Sequence, residues 1–410
     1  MVSKSPSRLW IIGLTVCVLA VTAGLIYRHY TSNTIRIDDE TRILTKFDAW
    51  PTYKSTKASL PPVGKSRTVV LLHAYVPFWN AGSEVCCHTV NRLLVQNGHE
   101  VWVGVPGYPE NKIYEGIHMF DCNDRTKLHS LMRNTDVIST HSFREKAQKL
   151  AHRYGVAFMD WFHGGTYTSK ARDAPRENDN PRYWATFNSQ SLLDSFGSMS
   201  KSRYHVLRPP VNWHDYEITE EYKPIYVTLS NLNENKGGQI LIEIAKAAPE
   251  INFLGVRGSY WKQIEDPSVK NIRYMNNTPH IKDVYALTKI LIMPSKDETW
   301  GRTAVEAMSS GIPVVAAPTP GLRECCEDSA LFVERHDIQE WVRLIRRLVN
   351  DKAFYDEYSN RGKIRARQLE PTHDLEMFKE WYETKVIVST DRSQAKPLTL
   401  IEEFYDRIQG

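Results

Sequence analysis

The chain has 410 residues, long enough for two domains and additional segments, and its 41% hydrophobic content with 11 tryptophans is ample for packed cores. Lys and Arg number 52 against 48 Asp and Glu, with no long basic run, which excludes nucleic acid as an expected partner. The six cysteines, Cys17, Cys86, Cys87, Cys122, Cys325 and Cys326, form no CxxC, so free thiols are expected rather than a metal cluster.

In chain order, residues 9–27 form an uncharged, mostly apolar run long enough to cross a bilayer once. Lys4 and Arg8 precede it and Arg28 follows. The expectation is an uncleaved signal anchor within residues 1–30, type II, with the catalytic part luminal in Golgi or ER. A cleavable signal peptide is the rival. Residues 31–66 read as a polar stem. Its Gly64-Lys65-Ser66 is not a phosphate loop, because Ser59 stands where a glycine is required and no strand precedes it.

A first α/β domain is expected over residues 67–212. Its strands are predicted at 68–73, 100–105, 137–140, 156–161 and 184–187, with helices at 84–97, 143–153 and 189–196. Alternating strands and helices predict a doubly wound parallel sheet. Residues 208–223, opening on Arg208-Pro209-Pro210, read as a linker. A second domain is expected over 223–372, with strands at 226–229, 252–256, 290–293 and 313–316. Its helices are predicted at 239–247, 281–287, 302–310, 339–348 and 352–367. A helix over 373–387 and a tail over 388–410, with a short amphipathic helix at 398–408, complete the chain.

The chemistry concentrates in the segment MPSKDETWGRTAVEAMSSGIPVVAAPTPGLRE, residues 293–324. Glu298 lies in a polar loop and Glu306 inside the helix that follows it. The amides of Gly301, Arg302 and Thr303 stand at that helix's N-terminus, where unpaired donors attract phosphate. Carboxylates beside such an end accept hydrogen bonds from sugar hydroxyls. The combination points to a nucleotide sugar.

This segment resembles the E-x7-E signature of retaining glycosyltransferases of family 4, which have the GT-B fold of two Rossmann-like doubly wound domains facing a cleft. Glu298 and Glu306 match the two glutamates, Gly311, Pro313 and Val314 the turn and strand, and Pro320, Gly321 and Glu324 the "GG..E" stretch. "NRLLVQNGHEVWVGVP" is similar to the family's first βαβ unit. The resemblance covers residues 67–387 and implies that helix 373–387 packs back across both domains. It also implies a set of donor-binding residues. Lys236-Gly237 matches the family's diphosphate clamp, but Asn231 stands where the family has an arginine. Asn lacks the guanidinium's charge and fork, so Arg302 is expected to supply the missing cation. Gly82 matches the glycine-rich turn after the first strand. Met275 and Asn276 match the nucleobase contact, although Asn276-Asn277-Thr278 also reads as a glycosylation sequon. His163, in DWFHGGTY, matches a histidine near the donor sugar. Acceptor contacts are expected from first-domain loops such as 75–80 and 166–179.

No D-x-D stands at a strand end, Asp121-Cys122-Asn123-Asp124 lacks that context, and no G-x-G-x-x-G follows the first strand. Neither a metal nor a nicotinamide cofactor is implied. The expected function is retaining, metal-independent transfer of a sugar from a nucleoside diphosphate to a hydroxyl of a glycan, lipid or glycoprotein. Two other readings share the fold: a nucleotide-sugar 2-epimerase and a non-catalytic nucleotide-sugar-binding protein.

Overall fold

The computed structural model describes residues 66–77, 81–108, 112–164, 180–197, 203–218 and 224–395. The expected anchor, the stem apart from Ser66, the loop 166–179, part of the linker and the helix 398–408 lie outside the described residues. Among the described residues no helix is long and apolar enough to cross a membrane.

The first lobe is built on β1 (Arg67–Leu71), β2 (Glu100–Val105), β3 (Lys112–Tyr114), β4 (Ile117–Asp121), β5 (Val137–Thr140), β6 (Ala157–Phe162), β7 (Tyr183–Phe187) and β8 (Tyr204–Val206). They form one sheet in the order β3-β4-β2-β1-β5-β6-β7-β8, parallel except for the β3–β4 hairpin. The inner strands are apolar runs buried on both faces, as a parallel sheet between helices requires. One face packs against the helix Gly82–Gln96 through Cys86, Cys87, Val90 and Leu94. The opposite face packs Val69, Leu71, Ile138 and Phe158 against the helices Arg125–Met132 and Arg144–Tyr154.

The second lobe is built on β9 (Tyr226–Ser230), β10 (Phe253–Val256), β11 (Ile272–Met275), β12 (Thr288–Met293), β13 (Val314–Ala316) and β14 (Leu331–Phe332). All pairs are parallel, in the order β11-β10-β9-β12-β13-β14. The helices Gly238–Ala247 and Ile338–Asn350 cover one face, where Trp341 is fully buried. The helix Arg302–Ser309 and its neighbours cover the other. Strand order reverses between β1 and β5 in the first sheet and between β9 and β12 in the second. Crevices at the carboxyl ends of such switch points are where doubly wound sheets take ligands.

The chain then returns to the first lobe. Phe378, Tyr382 and Val386 are fully buried against first-lobe residues such as Val70, Leu72 and Val101. This return is not the single helix expected over 373–387. The α-helix Thr372–Trp381 widens into a π turn at Tyr382–Val386 and a short 3-10 turn at Ile387–Ser389. The widened turn carries both Tyr382 and Val386 inward, and the Tyr382 hydroxyl reaches Thr68 on β1. Arg208, just before the two linker prolines, forks onto Asp374 at 2.6 and 2.9 Å. The linker is not wholly irregular: Trp213–Tyr216 forms one helical turn, begun by Asn212 accepting from the His214 amide at 3.1 Å.

Candidate active site

Chain segments leaving β9, β10, β12 and the β1 crossover converge on one cleft with about 350 Å³ of accessible space. Its walls include Gly82, Asn231, Lys236, Tyr260, Glu298 and Glu306. Three helices start there. Gly82–Gln96 begins after Ala81, Gly238–Ala247 after Gly237 and Arg302–Ser309 after Gly301, and none of the three has a side-chain cap. Gly237 and Gly301 take left-handed backbone, φ 96° and 114°, which glycine permits and other residues resist. Residues Ala304 and Val305 make the first intrahelical bonds to the Gly301 carbonyl, so the amides of Arg302 and Thr303 face outward from the helix end.

The charged side chains are paired with one another. Lys236 Nζ binds Glu298 Oε2, with the lysine 27% and the glutamate 14% exposed. Arg302 Nε donates to Glu306 Oε1 at 2.6 Å, and that pair is only 12% and 9% exposed. Tyr285, which sequence reasoning did not single out, donates its hydroxyl to Glu306 Oε2 at 2.7 Å. Burial, with the Glu306 carboxylate beside it, pushes the Tyr285 phenol well above its usual range, so it remains a donor.

The Arg302 guanidinium, expected to supply a cation in place of Asn231, is engaged with protein groups. Besides Glu306, it donates to the Pro210 carbonyl at 2.7 Å and to the Tyr216 hydroxyl at 2.8 Å. Burial, the largest single influence, would lower its pKa, but the Glu306 carboxylate, Tyr216 and Cys86 together outweigh it and raise it. The side chain braces the helix against the linker and orients Glu306.

Asn231 itself has φ 74°, and its Oδ1 accepts from the Asn233 amide at 3.2 Å. Gly258 makes room for it, since a Cβ there would lie 2.3 Å from the Asn231 carboxamide. Met275 and Asn276, expected to contact the nucleobase, are not among the residues lining the cleft. Met275 packs against the cluster of Leu254, Val256 and Val284, and Asn276 accepts from Arg257 at 2.8 Å on the exposed side. The cleft wall is formed by Asn277, Thr278 and Pro279. Asn277 donates to Ser259 at 3.1 Å, while its buried Oδ1 has no partner.

The Glu298 loop is held from two sides. Gly321 lies against it so closely that a Cβ would fall 2.2 Å from the Thr299 carbonyl carbon and 2.4 Å from the Glu298 oxygen. Thr299 donates to the His163 carbonyl at 2.7 Å, tying this loop to the first lobe at the end of β6. Glu324 bridges the lobes as well, accepting from the amides of Gln190 and Ser191 at 2.9 and 2.7 Å. It thereby adds a carboxylate to the start of the helix Gln190–Ser195. The His163 ring stacks on Trp161, with centroids 5.4 Å apart, and burial pushes its pKa down to about 3. It is neutral at physiological pH. The five described cysteines are free and buried.

The fold is the two-lobed α/β fold of GT-B glycosyltransferases. Anabaena Alr3699/HepE, solved with UDP and glucose, superposes with a TM-score of 0.63 over 77% of this chain and 99% of that one, at 16% identity. Residues 213–365, which span most of the second lobe, match the family model described as "Glycosyl transferases group 1". A curated relative, D-inositol 3-phosphate glycosyltransferase of Streptosporangium roseum, is 37% identical over 78 residues, 18% of each chain. The sulfoquinovosyl transferase SQD2 of Arabidopsis thaliana is 27% identical over 143 residues, 32% of this chain and 28% of that one. The chain therefore spans less than a third of the length of either curated relative.

Proposed function

We propose that the protein is a retaining glycosyltransferase that moves a sugar from a nucleoside diphosphate to a hydroxyl of a glycan, lipid or glycoprotein. The observation that carries this reading is the convergence of three uncapped helix starts, one lysine and two carboxylates on one interlobe cleft. Anionic phosphate suits the helix starts and Lys236, and hydroxyl groups suit the carboxylates. The paired state of the charges suggests how a donor enters. A diphosphate draws Lys236 away from Glu298, and the freed carboxylate accepts hydroxyls of the donor sugar. Glu306, fixed by Arg302 and Tyr285, receives the ribose hydroxyls. Asn231, Gly82 and the amides of Gly301, Arg302 and Thr303 complete the phosphate side. The charge developing on the leaving diphosphate is met by Lys236 and the helix ends, so the reaction requires no cofactor or divalent ion at that position. His163 lies beside the Glu298 loop as a neutral group close to the reacting carbon. The apolar run at 9–27 tethers the enzyme as a type II protein with its lobes luminal.

UDP-sugars are the first donors to test, because the HepE structure holds UDP and glucose. A screen of donor hydrolysis across nucleotide sugars, with Glu298→Gln and Glu306→Gln beside the wild type, tests the assignment. Hydrolysis of one donor with retention at the anomeric carbon, lost in both variants, is the expected result. Binding without turnover, or conversion of the donor into an isomeric nucleotide sugar, would overturn it.

A further inference from the structure

Three side chains from separate elements meet at the carboxyl edge of the first sheet. Cys87 comes from the helix Gly82–Gln96, while His141 and His163 stand at the residue after β5 and β6 respectively. Their ligand atoms all lie within 4.8 Å of one another. Cys87 Sγ is 3.5 Å from His141 Nδ1 and 3.9 Å from His163 Nε2. A tetrahedral zinc ion about 2.3 Å from sulfur and about 2.0 Å from nitrogen holds those two atoms roughly 3.5 Å apart. The Cys87–His141 distance is thus already that of a zinc site, and His163 lies a few tenths of an ångström beyond it.

We propose that Cys87, His141 and His163 bind one divalent transition metal of the zinc type. One thiolate and two imidazoles form a borderline-soft donor set that favours zinc over magnesium or calcium. The surroundings fit a metal centre in two further respects. The other nitrogen of His141, Nε2, faces Glu84 Oε1 at 3.7 Å, the place of the carboxylate that orients a metal-bound histidine. Trp161 stacks on the His163 ring and supplies an apolar wall. Glu84 is itself held by Ser83 at 2.7 Å and by Tyr260 of the second lobe at 2.8 Å. An ion here ties three first-lobe segments together and steadies the carboxylate that Tyr260 grips across the cleft. On binding, the Cys87 S–H bond breaks, a metal–sulfur bond forms and the proton passes to solvent.

His163 belongs both to this cluster and to the proposed donor site, but metal uptake is read without any donor, so a failure here is distinguishable from a failure of that assignment. The purified full chain is stripped with a chelator, dialysed and titrated with cobalt(II) as a spectroscopic probe, then with zinc(II). The expected result is one cobalt per chain, with a thiolate-to-cobalt charge-transfer band and tetrahedral d–d bands, both displaced by zinc. Cys87→Ser removes the charge-transfer band. His141→Gln weakens cobalt binding by about tenfold or more. Cys325→Ser, whose thiol lies in the second lobe, changes neither. Cobalt bound without a thiolate band, a band that survives Cys87→Ser, or no uptake by the wild type at micromolar free zinc would each overturn the proposal. The wild-type spectrum decides the matter even if a variant fails to fold.

Discussion

Gly321→Ala tests whether the Glu298 loop must sit where it does. The added Cβ would lie 2.2 Å from the Thr299 carbonyl carbon and 2.4 and 2.5 Å from the Glu298 and Thr299 oxygens. All three atoms are backbone, so no side-chain rotation relieves the clash. Restoring ordinary van der Waals contact moves the loop by about 1 Å, and a displacement of that size at a reacting centre costs on the order of 100-fold in rate. Overpacking of this kind also costs about 1–3 kcal/mol of stability, which a well-folded lobe tolerates. The expected outcome is a folded protein, with a modestly lowered urea midpoint, whose donor hydrolysis falls roughly 100-fold in kcat/KM. The assay is initial-rate hydrolysis of the donor found by screening, run beside circular dichroism and urea unfolding. Wild-type kcat/KM in the alanine variant would refute the claim that the Gly321 contact sets the position of Glu298. A loss matched by an equal loss of folded protein would show only a packing role.

Lys236→Ala removes the more accessible cation of the cleft, so donor affinity read by calorimetry should fall roughly 10- to 100-fold while the fold is kept, as for loss of a hydrogen bond to a charged group. Arg302→Ala leaves Glu306 buried without its ion-pair partner and should lower unfolding free energy in urea by about 3–5 kcal/mol, a far larger structural effect than Lys236→Ala. His205 is stacked on Trp381 at 5.2 Å, and burial lowers its pKa to about 4 despite the opposing pull of Asp374. The unfolded chain takes up this proton below its ordinary pKa and the folded chain holds it off until about 4. Stability is therefore lost as pH falls across that window, by at most about 2 kcal/mol at pH ~5. His205→Phe should flatten this part of the stability–pH curve measured by urea unfolding.

Much of the scaffold was legible because its strands are continuous apolar runs bounded by turns. The predicted strand 137–140 and helix 281–287 coincide with Val137–Thr140 and Ile281–Leu287. The β3–β4 hairpin, β8, β11 and β14 were missed. β3 and β8 have three residues, β14 has two, and all three strands are only partly buried, so periodicity has little to act on. The order of glutamates, glycines and the helix start in 298–306 was also readable, since those features are local. Long side chains were not. Arg302 stands at a helix start, yet its guanidinium reaches the Pro210 carbonyl 92 residues away. Met275 and Asn276, expected at the cleft, stand just before the residues that line it, because the end of β11 was not visible as a strand end. The Cys87–His141–His163 cluster leaves no local spacing at all, because its members follow three different elements. Cysteine spacing argued against a metal cluster, and only the topology of the first sheet brings these side chains together.

The two ion pairs of the cleft serve different ends, and their burial separates them. Arg302–Glu306 is closed off, reinforced by Tyr285 and Tyr216, and anchored on the linker through Pro210. Opening it would strand a buried charge, so it acts as a fixed part of the wall. Lys236–Glu298 keeps the lysine 27% exposed, and neither group is tied to the linker. An incoming diphosphate can therefore compensate the lysine as the carboxylate is released, which keeps both charges satisfied throughout. With asparagine at position 231 and Arg302 engaged by Glu306, Pro210 and Tyr216, the proposed donor would exchange partners at Lys236 and so link phosphate arrival to the freeing of Glu298. A chain with an arginine at 231 could hold the phosphate without disturbing that pair. If the proposed donor binds here, the same lysine serves both carboxylate and ligand, and donor recognition would be coupled to the readiness of Glu298.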